Sequence, residues 1–181
     1  MSEFGAVRGG GRDGMRRAGS RRRGLCLFGV LLLLLIPVLN ACDETDEPEA
    51  AVDFTLKLFD GGSFHLDDHK GAPVIVNFFA SWCIPCIAEA SALEAVFQEY
   101  RERGVTVLGI AVQDTESKAR EFVTKHKLTF PTGLDEGEIK DFYGLFGLPT
   151  TYFIDREGLI RYTHAGIVTE DLLRHELEKL L

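Results

Sequence analysis

Apolar residues in this chain come in short, separated blocks, and the spacing within each block sets what it can fold into. Residues 54–59 alternate apolar and polar, break at Asp60-Gly61-Gly62, and alternate again over 63–66, which predicts a β-hairpin with a glycine turn. Residues 74–79 and 105–112 are apolar runs, which predicts central strands covered on both faces. From 87 to 100 the period changes to that of a helix. Cys86, Glu89, Leu93, Val96 and Tyr100 are spaced 3, 4, 3 and 4 apart and share one helix face. Residues 115–127 read as a polar helix with Ala119, Phe122 and Val123 as its inner stripe. Phe130-Pro131-Thr132 opens a short strand, and 136–142 a short helix. Residues 150–154 and 159–164 are two strands joined by Asp155-Arg156-Glu157-Gly158, and Thr169 caps a last helix running to 181.

Strands alternating with helices, closed by a hairpin and a helix, predict an α/β domain over 53–181. Its mixed central β-sheet is flanked by helices and preceded by an N-terminal β-hairpin. Residues 43–52 are acidic, contain a proline and read as a flexible tether. Ahead of them, 1–24 hold seven arginines and two acids, and 25–39 form a 15-residue apolar stretch, too short for a comfortable membrane span. This is the layout of a bacterial export signal. Its end, Leu39-Asn40-Ala41-Cys42, resembles the lipobox of bacterial lipoproteins, which implies cleavage after residue 41 and a lipid on Cys42. An ordinary signal peptide, or an uncleaved anchor with an incidental cysteine, is the plainer alternative. Ser20-Arg21-Arg22 is similar to a twin-arginine signal, but Gly24 stands where a bulky apolar residue is usual, so the export route stays open.

Cleavage changes the charge. The whole chain carries −8, residues 1–41 carry +5, and the remaining 140 residues therefore carry −13. Such an acidic surface argues against nucleic acid and against lying flat on anionic lipid, so the lipid itself would hold the protein at the membrane. A chain of that length builds one domain with a real core. Of the four cysteines in the full sequence, Cys26 leaves with the signal and Cys42 is modified, which leaves one close pair rather than a disulfide-stapled scaffold.

That pair, Cys83-Ile84-Pro85-Cys86, lies between a predicted strand and a predicted helix. Two thiols at this spacing cycle between dithiol and disulfide with little backbone movement. Cys83 sits at the mouth of the helix, where free N–H groups and the helix dipole favour an anion, so it is the expected attacking thiolate. Cys86, one turn further in, is the expected resolving thiol. Pro85 fits the first helical turn, where a missing N–H costs nothing. A structural disulfide or half of a zinc site are the alternatives. Glu89 falls on the buried face behind the thiols. Burial raises a carboxyl's pKa, so Glu89 is placed to take a proton from Cys86 near neutral pH. A partly exposed glutamate favoured by the helix dipole is its plainer reading. His65 and His69 have a metal-like spacing, but Asp67 and Asp68 lie between them and they read as solvated histidines, so no metal is expected.

The hairpin with Asp60-Gly61, the stretch 76–86 with Glu89, and Gly147-Leu148-Pro149-Thr150-Thr151 resemble the TlpA/ResA type of thioredoxin-like, membrane-tethered thiol–disulfide oxidoreductases. The resemblance covers about 53–181. It implies a thioredoxin-like fold and a redox-active Cys83–Cys86 disulfide with no further cofactor. It implies that Pro149 is cis opposite the cysteines and that Leu148 offers backbone pairing to an extended substrate, with Trp82, Ile84 and Pro85 shaping the same surface. For Trp82, the only tryptophan, a core role is as consistent with the sequence. Asn77 stands where ordinary thioredoxins have a buried aspartate; an amide cannot shuttle protons, which shifts that task towards Glu89. Ser91 replaces a proline common in the family, which predicts a straighter helix.

The implied partners are a disulfide-bearing client protein, such as apocytochrome c, and a membrane electron donor. The location implied is the outer face of the bacterial inner membrane, and a monomer is expected. The Ile-Pro dipeptide lacks the histidine that strong oxidants use, which favours a reductant. A peroxiredoxin-like peroxidase is the enzymatic alternative, although Ala80-Ser81-Trp82 lacks the proline of that class. A thioredoxin-fold binding module or chaperone is the non-enzymatic one.

Overall fold

The computed structural model describes residues 48–181. The expected export signal, Cys26, Cys42 and most of the tether lie outside the described residues. Among those described, no helix is long and apolar enough to cross a membrane.

Two short strands, β1 (Thr55–Lys57) and β2 (Ser63–His65), form the expected antiparallel hairpin. Then follow β3 (Val74–Phe79), α1 (Ile84–Tyr100), β4 (Thr106–Ala111), α2 (Glu116–His126), β5 (Thr132–Leu134) and a one-turn α3 (Ile139–Phe142). The chain closes with β6 (Thr150–Ile154), β7 (Ile160–Ala165) and α4 (Glu170–Glu178). The main sheet has the order β5-β4-β3-β6-β7. β3, β4 and β5 are parallel, while β6 and β7 run antiparallel to their neighbours, so the sheet is mixed as the sequence predicts.

Alternation along β3 divides the core in two. Ile75 and Phe79 face α1, α2 and α4, packing with Leu93, Val96, Phe122, Leu173 and Leu177. Val74, Val76 and Phe78 face the hairpin and α3, packing with Phe54, Leu56, Phe64 and Ile139. The inner stripe of α2 is as expected for Ala119 and Phe122; Val123 is half-buried against the same core. The hairpin docks on β5, where Leu58 bridges to Gly133 and the Phe59 N–H donates to Thr132 O at 2.8 Å. A Cβ on Gly133 would stand 2.4 Å from Lys57 O, so only glycine permits that approach.

Several boundaries differ from the sequence reading. The redox helix begins at Ile84 rather than 87, because Cys83 itself is the N-cap and Pro85 lies in the first turn. It runs unbroken through Ser91. The helix expected over 136–142 shrinks to four residues. The Asp135 carboxylate accepts from the amides of Gly137, Ile139 and Lys140, and this holds the preceding residues in a turn. Glu49 and Ala51, placed by composition in the tether, pair with the β6–β7 connection: Ile160 N–H donates to Glu49 O at 2.8 Å and Ala51 N–H to Gly158 O at 2.9 Å.

Candidate active site

The carboxyl end of β3 turns through Ala80-Ser81-Trp82 and delivers Cys83 to the N-terminus of α1. The turn is clasped by the segment after β4. Ser81 N–H donates to Asp114 Oδ2 at 2.6 Å, and Trp82 Nε1–H donates to Gln113 O at 3.1 Å. Gln113 takes a left-handed conformation, φ 51°, to aim that carbonyl. Cys83 and Cys86 form a disulfide, and the Cys86 N–H donates to Cys83 Sγ at 3.2 Å. After reduction the same N–H and the helix dipole favour a Cys83 thiolate.

The two sulfurs differ in surroundings. Cys83 lines a groove of about 520 Å³, and Cys86 does not. Opposite Cys83 the groove is closed by Leu145, Phe146, Gly147 and Leu148, with Lys140 and Gln113 at its polar side. The Leu148–Pro149 peptide bond is cis. Pro149 does not itself line the groove; its carbonyl accepts from Gly166 N–H at 2.9 Å. Around this groove the protein exposes large apolar side chains: Trp82 at 58%, Ile84 at 78% and Phe146 at 102% of their full surface. Trp82 is therefore a surface residue and not a core one.

Glu89 lies one turn behind Cys86 and is 1% exposed. Its Oε1 accepts from Asn77 Nδ2 at 2.8 Å and its Oε2 from Val168 N–H at 2.9 Å. Asn77 Nδ2 also donates to Thr151 Oγ1 at 3.0 Å. Burial pushes the Glu89 carboxyl up to about 7, against the pull of the Val168 and Asn77 donors, which favour the charged form. A carboxyl so poised gives or takes a proton at neutral pH. His65 and His69 are not brought to this site. His65 lies 3.2 Å from Asp53, and His69 stacks on Phe64 with ring centroids 4.2 Å apart. His69 is thus half-buried rather than solvated, and burial lowers its pKa.

The comparisons agree with this geometry. Residues 48–163 match the model of the AhpC/TSA family. The thiol-disulfide oxidoreductase ResA of Oceanobacillus iheyensis is 37% identical over 173 residues, which span 88% of this chain and 90% of that one. The chain belongs to the AhpC/TSA family, in its ResA-type branch of thiol–disulfide oxidoreductases. Solved structures place the ResA-type domain among thioredoxin folds. A thiol:disulfide interchange protein of Chlorobium tepidum TLS superposes with a TM-score of 0.70 at 26% identity, covering 74% of this chain and 97% of that one. The pneumococcal exposed lipoprotein thioredoxin of Streptococcus pneumoniae strain TIGR4 gives 0.65 at 29% identity, covering 71% and 100%.

Residues that pattern reasoning missed in this ResA-type site are Gln113, Asp114, Phe146 and the Val168 amide. Asp114-Thr115 after a strand is a capping signal that points to the first two; nothing in the local sequence marks the others.

Proposed function

We propose that this protein is a lipid-anchored, extracytoplasmic oxidoreductase that reduces disulfides in partner proteins, such as apocytochrome c before heme attachment. The observation that carries the chemistry is the asymmetry of the pair: Cys83, although only 4% exposed, lines the groove, while Cys86 does not reach it and Glu89 lies buried one turn further along the helix. The Cys83 thiolate attacks one sulfur of a client disulfide. A mixed disulfide forms and the first client thiolate leaves. The Cys86 thiol gives its proton to the Glu89 carboxylate and attacks Cys83 Sγ. The second client thiolate leaves, and two electrons have passed from the dithiol to the client. Leu148 and the apolar rim of Trp82, Ile84 and Phe146 hold the client's extended backbone and side chains.

Regeneration of the dithiol outside the cytoplasm calls for a membrane electron donor. The lipid anchor rests on the Cys42 lipobox and is supported by the likeness to an exposed lipoprotein thioredoxin. The inner membrane is the location that a following Asp43 favours by analogy with bacterial lipoproteins.

The test is the reduction potential of the Cys83–Cys86 pair in residues 43–181, followed by Trp82 fluorescence against a thiol buffer. A value near or below about −270 mV supports a reductant, and one near about −120 mV makes the protein a disulfide donor.

A further inference from the structure

Of the two donors that hold Glu89, one has a continuation. The N–H that reaches Glu89 Oε2 belongs to the peptide group joining Ile167 to Val168. The carbonyl of that same peptide group lies 3.2 Å from His164 Nε2. A carbonyl oxygen only accepts, so Nε2 carries the hydrogen. The other ring nitrogen, Nδ1, lies 3.2 Å from the Tyr162 hydroxyl, which donates to it when the ring is neutral. Imidazole N–H, peptide group and carboxylate thus form one hydrogen-bonded line from the half-buried His164 to the buried Glu89. Bonds in such a line polarise one another, so the donor at the inner end is stronger when the outer end is held.

The sheet brings a second connection to the same point. Thr151 is in register with Asn77 on one side and with His164 on the other. Residues directly opposite in a sheet share a face. Asn77 reaches Glu89 from this row and is itself held by Thr151.

We propose that His164 is a positioning residue for Glu89, acting through the Ile167–Val168 peptide group to keep the Val168 N–H on the carboxylate. The proposal rests on the reading of Glu89 as proton acceptor. From β3 and the β7–α4 connection, the groups bonded to Glu89 are the Asn77 amide and the Val168 N–H; on its own helix the nearest titratable group is Cys86, once reduced. His164 meets the Tyr162 hydroxyl and the Ile167 carbonyl, with Thr151 opposite on β6. Among the described residues neither Glu89 nor His164 is ion-paired. Losing a donor to the charged form favours the neutral carboxyl, so loss of His164 moves the Glu89 midpoint upward.

The experiment follows the Glu89 carboxyl carbon by NMR across pH in the oxidised, detergent-solubilised full chain, with the signal assigned by its absence in Glu89→Gln. His164→Leu is expected to raise the midpoint by on the order of half a pH unit, a roughly threefold gain in proton affinity. His164→Gln keeps an N–H at similar reach and is expected to return the midpoint towards wild type. Tyr162→Phe, a milder change that loses only the donor to Nδ1, is expected to give a smaller rise. An unmoved midpoint in folded His164→Leu, or an equal rise in His164→Gln, overturns the proposal. A rise that leaves the pH profile of the Cys86 resolution step unchanged upholds the positioning role and removes Glu89 as proton acceptor.

Discussion

At Glu89, burial favours the neutral carboxyl, and the two donors only partly offset it. In the unfolded chain the same group titrates near 4.5, against about 7 in the fold. Between those values the folded state binds more protons, so stability is highest below the unfolded value and falls as pH rises through the folded one. The full loss, on the order of 3 kcal/mol, is present above the folded value. Urea unfolding of the oxidised protein is expected to show this decline from about pH 5 to about pH 8, and Glu89→Gln to lack it. Equal slopes in the two proteins would show that the carboxyl is not shifted. At the cysteines, Cys86→Ser is expected to stop the exchange at the mixed disulfide, leaving a covalent adduct on a non-reducing gel. Cys83→Ser should give neither adduct nor turnover, and residual reduction of a small disulfide by it would sink the assigned order of attack. Cys86 and Glu89 were legible because their spacing puts them on one helix face, and Cys83 because the Cys-x-x-Cys spacing sets it at the mouth of that helix. Thr151 and His164 were not, because their part depends on strand register, which a single strand's pattern does not encode.

Among the elements, legibility followed burial. β3 and β4, buried on both faces, stood out as apolar runs broken only by Asn77 in the first and by Thr106 and Gly109 in the second. The one-turn α3 was overdrawn, since Asp135 takes over amides that a longer helix would have used. The docking of the hairpin on β5 left no trace beyond a glycine. That glycine offers a sharp test. A methyl group at Gly133 meets Lys57 O at 2.4 Å and Leu56 Cγ at 2.8 Å. Gly133→Ala is expected to push the hairpin off the sheet edge and to cost about 3 kcal/mol in denaturant unfolding. Amide exchange over 55–66 should rise more than exchange in β3 or α1; a uniform rise would mean that the hairpin is not a separable unit. At the start of α4, Thr169 Oγ1 accepts from Leu172 N–H at 3.2 Å. Thr169→Ala should lower stability by about 1 kcal/mol, read from the same unfolding curves.

For the molecule as a whole, the acidic balance was readable from composition, but the apolar rim of the groove was not. Trp82 and Ile84 adjoin the cysteines in sequence, whereas Phe146 reaches them only through the fold. On the proposed function, its full exposure beside Leu148 makes it a residue expected to meet the client. Phe146→Ser is expected to raise KM for a protein disulfide several-fold with kcat little changed, because it removes binding shared by ground and transition states. Turnover of a small disulfide should be unaffected, and a matching loss there would place Phe146 in the chemistry instead. The pairing of Glu49 and Ala51 with the β6–β7 connection has a practical side. β6 starts beside the redox site and runs away from it, antiparallel to β3. The backbone therefore enters the domain at the pole opposite the disulfide. A dye or a sensor surface coupled at Glu49 itself would stand at that far pole and leave the mouth of the groove free.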